Sequence, residues 1–211
     1  METIESSSES RSLEFELIPY GAGSGTGSGS KKELPSAGLS GDLGRFGSVT
    51  VEHCPLYLPH EKGMSAARLS GPAFPETVFR GKRRTGLPSL TKAELTLAGR
   101  PAELRFNARA LRKGDRALRI SYEGREYVYS AEGLGKAKVL ERAGVRVAVE
   151  PGQFVPAAGT MRAGSATGPV DAVDLAIAVV LEAVDTDVLT LGGTALSSPF
   201  ALLHHFSDRA E

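Results

Sequence analysis

The chain contains no tryptophan and a single cysteine, Cys54, among its 211 residues. One cysteine excludes an internal disulfide and is typical of proteins from a reducing compartment. The N-terminus also lacks a basic segment followed by an apolar one, so no secretory signal pattern is visible. These absences predict a cytoplasmic protein. Arginine outnumbers lysine 17 to 8 and alanine is abundant, a composition typical of GC-rich bacterial genomes.

Long hydrophobic runs are scarce, and the exception is VDAVDLAIAVVLEAV at residues 170–184. Its apolar residues are spread around the helical wheel, which predicts a helix buried on every side. Asp171 follows a Gly-Pro break and fits the N-cap of that helix. The run is shorter than the roughly 20 apolar residues that cross a bilayer. A buried strand is the alternative because β-branched residues are frequent, but about 15 residues is long for a strand.

The remaining sequence alternates short strand-like segments with turns. RALRISYEGREYVYS predicts a hairpin that turns at Glu123-Gly124, and AKVLERAGVRVAVEPG predicts another that turns near Ala143-Gly144. Upstream, AELTLAG and AELRFNARAL are separated by Arg100-Pro101, which is also a turn signal.

Successive hairpins without helical patterns between them indicate a mainly β fold. We predict one antiparallel β-barrel domain over residues 38–211 that encloses the helix at 170–184. The alternative is an α+β fold in which this helix packs on an antiparallel sheet.

Residues 1–37 are rich in serine, glutamate and glycine, and we predict a flexible N-terminal arm and linker. Within this arm, Leu13, Phe15 and Leu17 alternate with glutamates in a strand pattern. Such a segment can dock on a sheet edge, either in its own domain or in a partner protein. The alternating glycines of residues 21–30 do not have the spacing of a dinucleotide-binding loop.

The middle of the chain is cationic, since residues 62–125 hold 15 basic and 5 acidic side chains although the whole chain is neutral. Four cations stand close together among glycines and predict an exposed basic loop: Arg80, Lys82, Arg83 and Arg84. Such a loop can bind phosphates through charge-assisted hydrogen bonds. The alternative is a solvated face that balances the acidic ends of the chain. Nucleic acid is not favoured, because the loop lacks interleaved aromatic residues for stacking.

No catalytic constellation is recognisable in the sequence. The four histidines do not have the spacing of a zinc site, and Asp185 and Asp187 do not lie in a calcium-loop pattern. The serines lack a nucleophile-elbow motif with an acid–base partner. We therefore predict no catalytic residue, no metal and no cofactor.

Residues from about 93 to 184 resemble the tubby C-terminal-like superfamily, which includes LURP-one-related proteins and phospholipid scramblases. The resemblance rests on the hairpins RALRISYEGREYVYS and KVLERAGVRVAV and on the following apolar helix, VDLAIAVVLEAV. It implies a closed barrel of antiparallel strands threaded by a hydrophobic helix. It also implies binding to phosphoinositides or membranes rather than catalysis, and it carries over no site residue.

These observations predict a non-enzymatic binding module for anionic membrane surfaces or phosphorylated ligands, with the basic loop as the contact. On this hypothesis the protein is cytoplasmic and associates with the membrane periphery. Two alternatives stay open. One is a protein-interaction adaptor that docks through the apolar residues of the N-terminal arm, and the other is an enzyme of unrecognised type.

Overall fold

The computed structural model describes residues 12–21, 37–55, 63–107, 116–132, 136–156 and 159–190. Most of these residues belong to β-strands, and one α-helix follows the last strand. The strands are β1 (Leu13–Tyr20), β2 (Ala37–Asp42), β3 (Ser48–Pro55), β4 (Met64–Ser70), β5 (Thr77–Arg84), β6 (Leu87–Pro88), β7 (Glu94–Leu97), β8 (Arg100–Arg105), β9 (Leu118–Tyr122), β10 (Arg125–Ala131), β11 (Lys138–Arg142), β12 (Val145–Val155) and β13 (Gly159–Thr167).

Twelve of the strands form a closed antiparallel barrel in which each strand pairs with the next along the chain. The barrel closes where β1 pairs with β13, and β6 is a short extra strand that folds back on the end of β5. Among the described strands of the wall, closure leaves no unpaired sheet edge. The predicted mainly β barrel is therefore confirmed, and the α+β alternative is wrong.

The predicted hairpins lie where the sequence placed them, with turns at Glu123-Gly124 and between β11 and β12. Glu123 and Gly124 have φ values of 47° and 76°, the left-handed pair that matches the twist of a two-residue hairpin. The turn predicted at Arg100-Pro101 is wrong. It lies at Ala98-Gly99, which have φ values of 46° and 75°, and Pro101 pairs with Thr96 inside the sheet.

Strand β1 comes from the segment whose composition predicted a flexible arm. Its alternation places Phe15 and Leu17 in the barrel interior and Glu14 and Glu16 outside. The barrel domain therefore begins at Leu13 and not near residue 38. The rest of the predicted arm and linker, residues 1–11 and 22–36, lies outside the described residues.

The helix α1 (Ala172–Val180) confirms the predicted apolar helix and its N-cap. Asp171 Oδ1 accepts hydrogen bonds from the backbone N–H groups of Val173 (3.0 Å) and Asp174 (3.1 Å). Asp174 Oδ2 in turn accepts from the Asp171 N–H at 2.9 Å, which completes a capping box. A 3-10 helix, Leu181–Ala183, continues the run and ends it one residue before the predicted boundary.

Helix α1 fills the inside of the barrel. A barrel of eight strands is about as wide as its own side chains can fill, and twelve strands enclose more space. The helix occupies that space, touching β4 and β5 on one side and β11 and β12 on the other. Residues 174–180 are all buried, which explains why the helix is apolar on every face.

The barrel has two open ends, here called the lower mouth and the upper mouth. At the lower mouth β13 ends and α1 begins, and at the upper mouth β5 ends, β11 and β13 begin, and the chain leaves α1. A buried carboxylate marks each end. Asp174 pairs with Arg142 at the lower mouth, and Glu182 pairs with Arg162 at the upper mouth. The wall thus holds the helix at both ends.

Candidate functional site at the upper mouth

The predicted basic loop is in fact part of a strand. Arg80, Lys82, Arg83 and Arg84 all lie in β5, because the hydrophobic residues Val78 and Phe79 start a strand that runs on through the cations. Lys82 and Arg83 are exposed at its upper end, whereas Arg80 and Arg84 are half-buried. The four residues are therefore not equivalent as contacts for a ligand.

The end of β5 turns back at once into β6. Thr85 and Gly86 have φ values of 51° and 93°, so the turn is again the left-handed two-residue type. Gly81 permits this fold-back, because a Cβ at this position would stand 2.1 Å from the carbonyl oxygen of Ser89. The turn fixes Lys82 and Arg83 on a short hairpin at the rim of the barrel.

The β5–β6 hairpin contacts Asp185, in the segment that follows α1 and its 3-10 helix. Arg84 Nε lies 3.6 Å from Asp185 Oδ2, and the Thr85 hydroxyl donates to the same oxygen at 3.2 Å. The Asp185 N–H donates to the carbonyl of Pro88 at 2.8 Å. Arg84 is thus committed to a buried partner, and Lys82 and Arg83 are the exposed cations of the predicted set.

A second group of cations lies on the other side of the upper mouth, around the buried carboxylate of Glu182. Arg162 Nε donates to Glu182 Oε2 at 3.0 Å, and Lys138 Nζ lies 3.6 Å from Oε1. Arg162 also donates through Nη1 to the carbonyl oxygens of Thr160 and Met161. These bonds fix the guanidinium at the start of β13.

A cavity of about 190 Å³ opens beside these groups. Three cations line it, Lys136, Lys138 and Arg162, against the carboxylates of Glu182 and Asp187. Glu182 is shared by two of the cations, and Lys136 is exposed. The cavity therefore has a net positive lining, and its volume suits a group of the size of a phosphate.

The floor of this region is strongly desolvated. Burial and the neighbouring Glu182 carboxylate raise the pKa of Tyr129 well above its ordinary value. Thr190 also lines the cavity, and its carbonyl oxygen accepts a hydrogen bond from the buried Arg116 at 3.2 Å. Charges placed here are weakly screened, which strengthens their interactions with an ion.

Five side chains, here called the upper-mouth cations, thus point to a binding surface: Lys82, Arg83, Lys136, Lys138 and Arg162. The sequence predicted the first two. It did not predict the other three, which are distant in the chain from Lys82 and Arg83. They share a mouth with those two residues because antiparallel strands bring the end of β5 and the starts of β11 and β13 to one end of the barrel. Glu182, a carboxylate in an apolar run, was the available signal, since such a group needs buried cations as partners.

A larger groove of about 400 Å³ lies on the outer face of the wall, over β1, β12 and β13 and beside Ala137, the residue before β11. The carboxylates of Glu14, Glu16 and Glu150 line it together with small side chains. The lining of this groove is therefore negative, whereas that of the upper-mouth cavity is positive.

The apolar residues predicted to dock on a partner are part of the barrel itself. Phe15 and Leu17 are buried, and Leu13 is half-buried beside the first 3-10 helix, Gly44–Phe46. The sheet edge on which the segment docks belongs to its own domain, so Phe15 and Leu17 are used in the core of the barrel.

Several other polar residues of the described ranges have structural partners. Arg125 and Arg142 pair with Asp171 and Asp174 at the lower mouth, and His53 shares a 3.1 Å hydrogen bond with Ser65. Among these residues no three His, Cys, Asp or Glu side chains are grouped as a metal site would need. Within the same ranges, no helix has the length and apolar character needed to cross a membrane. His60, His204 and His205 lie outside the described residues.

Comparison of the chain with protein-family models, with curated proteins and with solved structures found no match. Membership of the tubby C-terminal-like superfamily stays a prediction.

Proposed function

We propose that the protein is a non-enzymatic module that binds phosphate-bearing anions, presented by a membrane surface or by a soluble ligand, at the upper mouth of its barrel. The observation that supports this most is the position of Lys82 and Arg83, exposed on a fixed hairpin at the same mouth as the cation-lined cavity. The backbone that carries these cations is already fixed by the turn, so binding has to order only the two side chains, which favours affinity.

The chemistry of the upper-mouth cations suits phosphate. Arginine presents a planar fork of donors to phosphate oxygens, and lysine acts as a compact point charge. Arg162 is already oriented by Glu182 and by two backbone carbonyls. It therefore contributes electrostatic attraction to the phosphate more than free hydrogen-bond donors. Lys82, Arg83 and Lys136 are exposed and supply the direct contacts.

Binding is tested by sedimentation with vesicles of phosphatidylcholine that contain about one third phosphatidylserine, and by calorimetry with inorganic pyrophosphate. The variant is K82A/R83A. If the membrane presents the phosphate, we expect vesicle affinity to fall roughly 30-fold, since each cation near an anionic surface contributes about 1 kcal/mol. Affinity should also weaken as salt is raised from about 0.05 to 0.3 M.

The matched control is R68A/R100A, which removes two exposed arginines from the lower half of the barrel. It should bind vesicles and pyrophosphate as the unmodified protein does. Binding to vesicles alone identifies the membrane as the source of phosphate, and binding to pyrophosphate alone identifies a soluble ligand. The proposal is overturned if the protein binds neither probe, or if both variants lose affinity equally.

A further inference from the structure

We propose that the upper mouth docks on the surface of an anionic lipid bilayer, with Phe154 inserted among the lipid headgroups. This inference rests on the proposed function of the upper-mouth cations and deepens it by choosing the membrane as the source of phosphate. It is carried by the placement of one exposed aromatic side chain beside those cations.

Phe154 is the most exposed large hydrophobic side chain among the described residues. Its exposed fraction is 71%, whereas Phe15, Phe74 and Phe79 are all buried. In the described residues the other large hydrophobic side chain with high exposure is Ile18, at 47%. An exposed phenylalanine on a well-formed strand has no role in the core of this barrel.

The register of the β12–β13 hairpin tells which way Phe154 faces. Pro151 pairs with Arg162, and after a bulge Phe154 pairs with Thr160. Cross-strand partners share a face of the sheet, and so do residues two apart in a strand, such as Thr160 and Arg162. Phe154 therefore lies on the face of the hairpin that carries Arg162 and the cavity, beyond Val149, the last residue of β12 that pairs with β11.

The surroundings of Phe154 are apolar along the chain and basic around the rim. Residues 154–159 read FVPAAG and carry no charge. Ile18 lies on the outer face at the upper end of β1, next to Pro19, whose ring is 3.7 Å from the position of a Cβ on Gly159. Lys136 and Lys138 stand beside β12 at the start of β11. Lys82 and Arg83 stand on the other side of the mouth.

This arrangement matches a bilayer better than it matches another protein. A planar anionic surface can meet cations on both sides of a ring-shaped rim at once, while a hydrophobic tip enters the boundary between headgroups and acyl chains. A stable protein interface needs a wide apolar centre, and the described surface offers two large exposed hydrophobic side chains.

The test uses the absence of tryptophan from the chain, because F154W then provides a single fluorophore. The full-length variant is titrated with vesicles of phosphatidylcholine and about one third phosphatidylserine, with and without brominated acyl chains. We expect the emission to shift to the blue and to be quenched by the brominated lipid. The control A73W places tryptophan on an exposed turn at the lower mouth and should change in neither respect.

A second measurement is the vesicle affinity of F154A, which should fall about tenfold while pyrophosphate affinity is unchanged. F154A removes an exposed side chain, so folding does not depend on it.

The inference is overturned if F154W binds these vesicles without a spectral shift or quenching, and the proposed function then stands. It is also overturned, again without loss of the proposed function, if pyrophosphate binds and vesicles do not. Failure of both ligands to bind overturns both proposals. A loss of self-association in F154A without loss of vesicle binding would assign Phe154 to contact with a second copy of the chain.

Discussion

Phe15 lies directly across the closing seam of the barrel from Gly164. The two are cross-strand partners in β1 and β13, and a Cβ on Gly164 would stand 2.1 Å from Phe15 Cζ. The aromatic ring therefore occupies the place of the missing side chain. This pairing joins the first strand of the chain to the last and completes the wall.

We predict that G164A destabilises the protein by about 1–3 kcal/mol, because the buried ring of Phe15 has to move to admit the methyl group. Urea unfolding measures the change. Adding F15L to G164A should restore part of the loss, since leucine is smaller at the point of collision.

The matched control is G152A in β12, where the new Cβ would lie 3.4 Å from Met161 Cβ, an ordinary contact. Its effect should stay within about 0.5 kcal/mol. If G164A were as mild as G152A, the ring would not be seated on Gly164.

Arg142 holds the start of α1 through Asp174, with hydrogen bonds of 2.6 Å from Nε to Oδ1 and 2.7 Å from Nη2 to Oδ2. The Asp174 side chain is fully buried. R142M should cost about 3 kcal/mol in urea unfolding, because it removes the main partner of a buried carboxylate. R100M, which breaks an exposed pair with Glu123, should cost less than about 1 kcal/mol. Equal costs would show that Asp174 does not depend on Arg142.

Ile177 lies at the middle of α1 with no exposed surface. I177A should destabilise the barrel by about 3 kcal/mol through lost burial and a residual cavity. I177D should abolish the cooperative unfolding transition seen by circular dichroism, because no described cation is bound near the centre of α1. V78A on the outer face of β5 is the control, with an expected cost below about 1 kcal/mol. A folded I177D would refute the central position of the helix.

The alternation of side chains was sufficient to predict the hairpins and the fold class, because the period of two is imposed by each strand alone. It was insufficient for β1, since the pattern of Leu13, Phe15 and Leu17 shows that a strand forms but not on which edge it pairs. The edge is provided by β13, which is far away in the sequence and carries the accommodating Gly164.

The upper mouth shows the same limit. The run from Arg80 to Arg84 predicts a charged loop, although charges at the end of a strand are also compatible with β structure. Local sequence cannot show that Arg84 meets Asp185, or that Lys138 and Arg162 meet Glu182. These contacts depend on closure of the barrel around the helix, a property of the complete chain.

The burial of Tyr127 predicts how the free energy of unfolding depends on pH in the alkaline range. Burial raises its pKa from 10.0 to about 12, so the folded state keeps the phenol protonated when the unfolded chain releases the proton. The stabilisation is fully present below pH 10.0 and is lost as pH rises towards about 12. In urea unfolding, the free energy of unfolding of the unmodified protein should therefore fall relative to that of Y127F over this range. Titration of tyrosinate absorbance should show one phenol fewer at the high end in Y127F. A pH-independent difference between the two proteins would contradict this assignment.

The position of Glu182 predicts that removing its charge strengthens the binding of an anion in the cavity. Its carboxylate engages Arg162 at 3.0 Å and Lys138 at 3.6 Å, so it neutralises part of the charge that the cavity offers to an anion. E182Q keeps the shape of the side chain and removes the charge. Pyrophosphate affinity should rise roughly fivefold, because a unit charge about 8 Å away under intermediate screening contributes about 1 kcal/mol. Stability should fall, because Arg162 and Lys138 lose their common partner. E14Q removes a carboxylate from the outer groove, at the lower end of β1, and should leave pyrophosphate affinity unchanged. If a folded E182Q binds pyrophosphate no more tightly than the unmodified protein, the anion does not enter the cavity, and binding at the upper mouth is then confined to Lys82 and Arg83 on the β5–β6 hairpin.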